Sequence, residues 1–209
     1  CRWQIIDTLN MQARGQQLGL AAKRFGMSTL RGKGPPRQSE PLNYEALLLL
    51  REVGEGALIN GGPIGTRNLW ALFTMFLVRE IEASLALRAH LTISHSSHTA
   101  TWKLPVSKAD PEALGCQRSR GCACPPSSRA AGCPFHAATD QLDLLTRRFG
   151  PPETDDELPL FPTEDGRHVE ASVMVSLVEH LAERTGELAK DREGNNRFGK
   201  HSWRSTGAV

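Results

Sequence analysis

Apolar positions recur at helical spacing along most of the chain and at strand spacing over one short stretch. Leu47 to Leu50 sit within Asn43 to Arg51, a segment that predicts a helix ended around Gly54-Glu55-Gly56. Asn60 to Gly65 reads as a turn, with Thr66 as the N-cap of a long apolar helix reaching about Val78. A second short helix is predicted over Glu82 to Leu87. From His90 to Leu104 the pattern changes: Leu91, Ile93, Thr99, Thr101 and Trp102 mark two short strands paired as a hairpin around Ser96 and Ser97. Residues 105–136 read as loop. Ala137 to Phe149 is a helix closed by Gly150-Pro151-Pro152, and Leu158 to Phe161 is a short extended piece. Val169 to Arg184 has apolar residues at 169, 173, 174, 177, 178 and 181, the pattern of an amphipathic helix that Gly186 helps to end. A polar, basic loop from Lys190 to Lys200 leads to a final small-residue helix. The predicted fold class is mainly α with a small antiparallel β-sheet, an α+β fold with an inserted cysteine-rich loop. Two strands alone are marginal, so the sheet must pack on helices.

Charge divides the chain. Residues 1–38 hold Arg2, Arg14, Lys23, Arg24, Arg31, Lys33 and Arg37 against Asp7 alone, while the whole chain carries a net charge of +2. The remainder is therefore net acidic. A basic arm on such a body suits a polyanion such as DNA, or is simply a solvated terminus. The Gly- and Pro-rich stretch from Arg31 to Pro41 reads as a linker, giving a basic N-terminal segment over 1–38 and a domain over 39–209. The longest apolar run, Leu69 to Val78, is about half of the ~20 residues that span a bilayer. With no signal-peptide pattern, the expected place is intracellular, away from membranes. The chain begins with Cys1 and ends inside a predicted helix, which leads to the expectation of a piece of a longer protein.

Four of the five cysteines fall in the loop-rich region. Cys122-Ala123-Cys124 and Cys133-Pro134-Phe135-His136 form two close ligand pairs joined by a Pro/Ser/Gly loop, a set suited to tetrahedral zinc. Free thiols and a disulfide are the other readings. Cys116 is a spare thiol or an alternative ligand, so the predicted zinc loop spans 116–136. Four protein ligands close the coordination shell, which points to a structural role. Because the loop follows the hairpin, such a metal could hold the segment containing Lys108. The other histidines, His90, His95, His98, His168 and His180, have no convincing partner in the sequence.

The last nine residues supply the other chemistry. His201 and Arg204 lie about one helical turn apart, a proton carrier beside a planar fork of phosphate donors. Upstream, Arg79 and Glu82 in Arg79-Glu80-Ile81-Glu82, and Lys108 in Ser107-Lys108-Ala109-Asp110, complete a set that can handle a phosphodiester. Attack at phosphorus builds negative charge on its oxygens, which two guanidiniums can clamp while a lysine protonates the leaving oxygen. Lys103, on the strand itself, rivals Lys108.

These motifs resemble those of the tyrosine recombinases (phage integrases), and within them the eukaryotic Crypton type of mobile element. Phe76 to Leu87 is similar to the first family box, an Arg followed three residues later by an acid. One extra residue stands before the final Leu. Phe198 to Ala208 is similar to the second box, Gly-x-His-x-x-Arg-x-x-Gly-Ala. The resemblance covers roughly residues 40–209. It implies that Arg79 and Arg204 hold the scissile phosphate, Lys108 protonates the leaving 5′ oxygen, His201 assists proton transfer and Glu82 orients from behind. It further implies a double-stranded DNA partner, a nuclear location, residues 1–38 as the tail of a core-binding domain, a homotetramer on DNA when full length, and no catalytic cofactor. The family uses a tyrosine nucleophile downstream of the second box. The single tyrosine here, Tyr44, precedes the first box and reads as packing or surface, so the chain itself contains no nucleophile. The rival readings are a non-catalytic DNA-binding remnant of a mobile element and a zinc-stapled interaction domain.

Overall fold

A computed structural model of the chain describes residues 39–49, 54–79, 82, 85–104, 116–125, 128–153, 157–199 and 201–207. Residues 1–38 and Lys108 lie outside the described residues. The elements run α1 (Tyr44–Leu49), α2 (Thr66–Phe76), a 3-10 turn (Arg88–His90), β1 (Leu91–Ser94), β2 (Thr99–Leu104), β3 (Cys116–Gly121), α3 (Pro134–Phe149), α4 (Ala171–Arg184) and α5 (Ser202–Gly207).

α2 is the central helix. Leu69 to Thr74 and Phe76 are all buried, so the helix that reads as apolar on every face is covered on every face. Phe73 is the hub. Its ring lies 5.5 Å from Phe161, 5.8 Å from Trp203 on α5 and 6.1 Å from Trp102 on β2. Two of these contacts are edge-to-face, the geometry that ring quadrupoles favour. Four segments distant in sequence thus meet at one side chain.

Among the described residues the sheet has three antiparallel strands in the order β1-β2-β3, not the two expected. Trp102 pairs with Leu91 on one side and with Arg118 on the other. The third strand, Cys116-Gln117-Arg118-Ser119-Arg120-Gly121, is invisible to an alternation search. It has no apolar residue beyond Cys116, and the positions that share its face are half-buried Arg118 and exposed Arg120, whose guanidiniums donate to backbone carbonyls.

Several predicted boundaries shift. Thr66 is the first helical residue rather than the cap, and Gly65 takes the cap position with φ 69°. A side chain there would collide with buried Gln141, whose amide donates to the Leu160 carbonyl at 2.8 Å and accepts from Asn68 at 3.2 Å. α3 begins at Pro134, three residues before the predicted start, because Pro is suited to the first helical turn. α4 begins two residues late, at Ala171, and keeps its apolar face of Met174, Leu177, Val178 and Leu181 buried. The predicted helix over Glu82 to Leu87 does not reach its end. Leu87 instead bridges Pro159, and Arg88 N–H donates to the Leu158 carbonyl at 2.8 Å. The expected extended piece at 158–161 is the partner of that bridge. Among the described residues no helix is long and apolar enough to cross a membrane.

α5 sits on the C-terminal end of α2, and Gly207 makes the approach close. A Cβ at Gly207 would strike the Thr74 carbonyl, which belongs to the α2 backbone and cannot swing aside, and Leu77 Cδ2 at 2.7 Å. Gly207→Ala is therefore expected to destabilise the domain by about 1–3 kcal/mol, as overpacking does. Thermal denaturation should show the loss, while Gly54→Ala, where a Cβ meets nothing within 4 Å, should leave the melting temperature unchanged.

Candidate functional site

Arg79 leaves α2 through a sharp stop. Leu77 adopts the left-handed conformation (φ 53°, ψ 41°), Leu77 N–H donates to Thr74 at 3.4 Å, and Val78 N–H donates to Phe73 at 3.1 Å. This pair of bonds is a Schellman ending, usually built on Gly. Leu tolerates the position here because its side chain packs beside Gly207. Val78 is then buried and Arg79 emerges half-buried.

Glu82 holds Arg79 twice. Its carboxylate accepts the Arg79 backbone N–H at 2.9 Å and the guanidinium Nη1 at 3.2 Å. The Glu82 side chain is 1% exposed and that of Arg79 is 23% exposed. The ion pair occupies one edge of the guanidinium.

The second motif arrives on α5. His201 is exposed in the turn before the helix, Arg204 is half-buried, and Trp203 between them is locked into the core against Phe73. Thr206 Oγ1 accepts the Leu42 N–H at 2.8 Å and donates to the Ser202 carbonyl at 2.8 Å, tying the start of the domain to this helix. Glu40 and Arg197 reinforce that closure, with Nη2 2.8 Å from the carboxylate. The packing of α5 on the end of α2 brings the helix that bears Arg204, with His201 just before it, against the helix end from which the chain runs to Arg79. Of the two candidate lysines, Lys103 is exposed on β2 and Lys108 lies outside the described residues.

The cysteine cluster assembles. The ligand atoms of Cys122, Cys124, Cys133 and His136 all lie within 4.8 Å of one another. Cys133 Sγ is 3.7 Å from Cys122 Sγ, and His136 Nδ1 is 3.2 Å from Cys124 Sγ and 3.9 Å from Cys122 Sγ. Tetrahedral bonds of ~2.3 Å to sulfur require S···S edges of roughly 3.7 Å, so the set fits one small ion. Cys133 caps α3, where the positive end of the helix favours a thiolate. Burial opposes its ionisation, but backbone donors from His136 and Ala123 and contacts with Cys124 and His136 outweigh it, bringing the thiol down to about 6. Burial pushes the Cys124 thiol up, partly offset by the Ala130 N–H that donates to its sulfur at 3.1 Å. The cluster can hold a metal ion.

Cys116 starts β3 opposite Leu104, whereas Cys122 follows the other end of the strand, so of the two readings of Cys116 the spare thiol is the one that fits. The Lys108 segment, which the metal is expected to hold, lies outside the described residues. The metal residues join the β1–β2 turn to α3, through Cys122 N–H donating to the His98 carbonyl at 2.8 Å.

Three histidines expected to lack partners have them. His95 meets Phe135 edge-to-face and His98 meets it at a tilt, with centroids 6.0 Å and 5.4 Å away. His90 Nδ1 accepts the Leu87 N–H at 3.1 Å, and burial together with the nearby Lys103 charge lowers its pKa. Tyr44 covers the metal loop. Its hydroxyl donates to the Gly132 carbonyl at 3.4 Å, and burial, with the adjacent Cys133, pushes its pKa up to about 12. That is packing, as its sequence position suggests.

No protein-family model and no curated protein sequence matches the chain. Solved structures do. The XerH site-specific recombinase bound to difH substrate, in a pre-cleavage complex, aligns over 83% of this chain with a TM-score of 0.52 and 14% identity. The same recombinase bound to palindromic difH substrate, in a post-cleavage complex, aligns over 85% with a TM-score of 0.55 and 15% identity. In fold the chain is similar to a tyrosine recombinase catalytic domain. It spans 43% of the length of the recombinase chain in either structure. The recombinase-like fold carries the cysteine-histidine cluster between β3 and α3.

Proposed function

We propose that the chain is part of a site-specific DNA recombinase of the Crypton-like tyrosine recombinase type. The observation that carries this reading is the packing of α5, which bears Arg204, on the end of α2, three residues before Arg79, within a recombinase-like fold. Arg79 and Arg204 would bind the non-bridging oxygens of the scissile phosphate, with Glu82 keeping the Arg79 fork oriented. As a tyrosine oxygen bonds to phosphorus, the bond to the 5′ oxygen breaks. Lys108 donates a proton to that oxygen, His201 assists the transfer, and a 3′-phosphotyrosyl link and a free 5′ hydroxyl result. Tyr44 is not that nucleophile, because its hydroxyl is engaged beneath the metal loop. Strand transfer therefore belongs to a protein in which another tyrosine joins these residues, assembled as a homotetramer on DNA in the nucleus. Residues 1–38 would lie along the duplex backbone as the tail of a core-binding domain.

The metal we assign to the cluster is zinc in a structural role. Three thiolates and one imidazole match its preference, and no coordination position is left for substrate. Its chemistry there is to cross-link.

Affinity for a DNA duplex between 50 and 200 mM salt tests the reading. It should fall by at least about tenfold over that range through counterion release. Arg204→Ala and Arg79→Lys should each weaken binding, and in a form of the protein that contains the nucleophile Arg204→Ala should abolish covalent trapping on a suicide substrate. Salt-insensitive binding, or unchanged affinity in both variants, would overturn the proposal in favour of a zinc-stapled interaction domain. Trapping that survives Arg204→Ala would remove the catalytic role of that residue.

A further inference from the structure

An α-helix leaves its last four carbonyls without intrahelical partners. In α2 these belong to Phe73, Thr74, Met75 and Phe76, and every one is accounted for. The Schellman bonds from Val78 and Leu77 take the first two. The other two are taken from β3: Arg120 Nε donates to Met75 at 2.8 Å, and Arg118 Nη1 donates to Phe76. Arg118 Nη1 also donates to the Leu77 carbonyl at 3.0 Å, inside the left-handed turn itself. Positions 118 and 120 share one face of the strand, so their side chains project together toward the helix end. Two cations at a helix C-terminus also complement its dipole.

The turn they hold needs holding. A non-glycine residue in the left-handed region costs on the order of 1 kcal/mol, and such a residue persists only where its surroundings enforce it. Leu77 is that residue, two positions before Arg79. A guanidinium that grips the Phe76 and Leu77 carbonyls together fixes the direction in which the chain leaves the helix.

We infer that Arg118, assisted by Arg120, is a positioning residue for the Arg79 guanidinium. It acts through the backbone of the Leu77 turn and touches no phosphate itself. Its functional consequence rests on the phosphate-clamp reading of Arg79, whereas its structural part does not.

The test uses the whole chain with Arg118→Met, Arg118→Lys, Arg79→Lys and the Arg118→Met/Arg79→Lys pair. Hydrogen exchange at the Val78 and Arg79 amides should quicken at least tenfold in Arg118→Met while α4 amides such as Leu181 keep their rates. Arg118→Lys, which retains a charged donor, should recover part of that protection. Affinity for a DNA duplex should fall several-fold in Arg118→Met and show no further loss when Arg118→Met is added to Arg79→Lys. Unchanged exchange at Val78 and Arg79 overturns the inference. Additive affinity losses overturn it too, because they would mean that Arg118 grips phosphate directly. An Arg79→Lys variant with unaltered affinity refutes the clamp reading alone, and the exchange rates then decide the positioning role. If Arg118→Met fails to fold, Arg118→Lys and Arg120→Met carry the same readouts.

Discussion

Stripping the metal from Cys122, Cys124, Cys133 and His136 is expected to lower the melting temperature of the chain by about 10 °C. The cluster cross-links three pieces: the β1–β2 turn, the end of β3 and the first turn of α3. The sequence between Cys124 and Cys133 offers Pro125, Pro126, Ser127, Ser128, Arg129, Ala130, Ala131 and Gly132, too small or too polar to bury a core of their own. Metal at about a thousand times its dissociation constant stabilises the folded state by ~4 kcal/mol. For a domain of this size that corresponds to roughly 8–16 °C. Elemental analysis should find one zinc per chain. Cys133→Ser should reproduce the effect of a chelator, and the chelator should then add nothing. Cys116→Ser, outside the cluster, should behave as wild type toward the chelator. Protein purified without stoichiometric metal, with melting indifferent to chelation, would contradict the assignment.

Arg79→Ala is expected to cost about 3 kcal/mol of stability whether or not the chain ever meets DNA. Glu82 is buried, and among the described residues the Arg79 guanidinium is the cation paired with it. Removing that partner leaves a carboxylate in a dry setting with the Arg79 backbone N–H, and breaking a buried pair from one side is far more costly than never forming it. Chemical denaturation should register the loss. Arg79→Met combined with Glu82→Leu, which removes both charges, should recover most of it. If Arg79→Ala unfolds at the wild-type denaturant concentration, the ion pair contributes nothing. The same logic is why Arg79→Lys, which keeps a cation against Glu82, is the better probe of phosphate binding.

The parts of the fold legible in the sequence are those with local causes. The apolar run from Leu69 to Phe76 required a buried helix, and the spacing through Met174, Leu177, Val178 and Leu181 required a one-sided one. The β1–β2 hairpin announced itself by alternation around a Ser-rich turn. The metal ligands announced themselves as two close pairs, since ligand chemistry tolerates few substitutes. β3 did not, because the residues that tie it to the end of α2 are Arg118 and Arg120, bonded through their guanidiniums, and no hydropathy pattern marks them. The end of the helix expected over Glu82 to Leu87 was missed for a related reason. Its last residue, Leu87, is pulled straight by a bridge to Pro159, a residue far along the chain.

Sequence by itself determined which chemistries this protein can hold: a Cys3His ligand set, a His-x-x-Arg pair, an Arg with an acid three residues on. Those follow from side-chain identity and short spacings. Only the tertiary structure decided their relations. It set α5 against the end of α2 through a glycine that admits no side chain, placed the metal cluster at the end of β3 away from Cys116, and turned Arg118 and Arg120 onto the carbonyls at the end of α2. The physical reason is that such contacts join groups scores of residues apart, and only the packing of the whole core around Phe73 selects which distant surfaces meet.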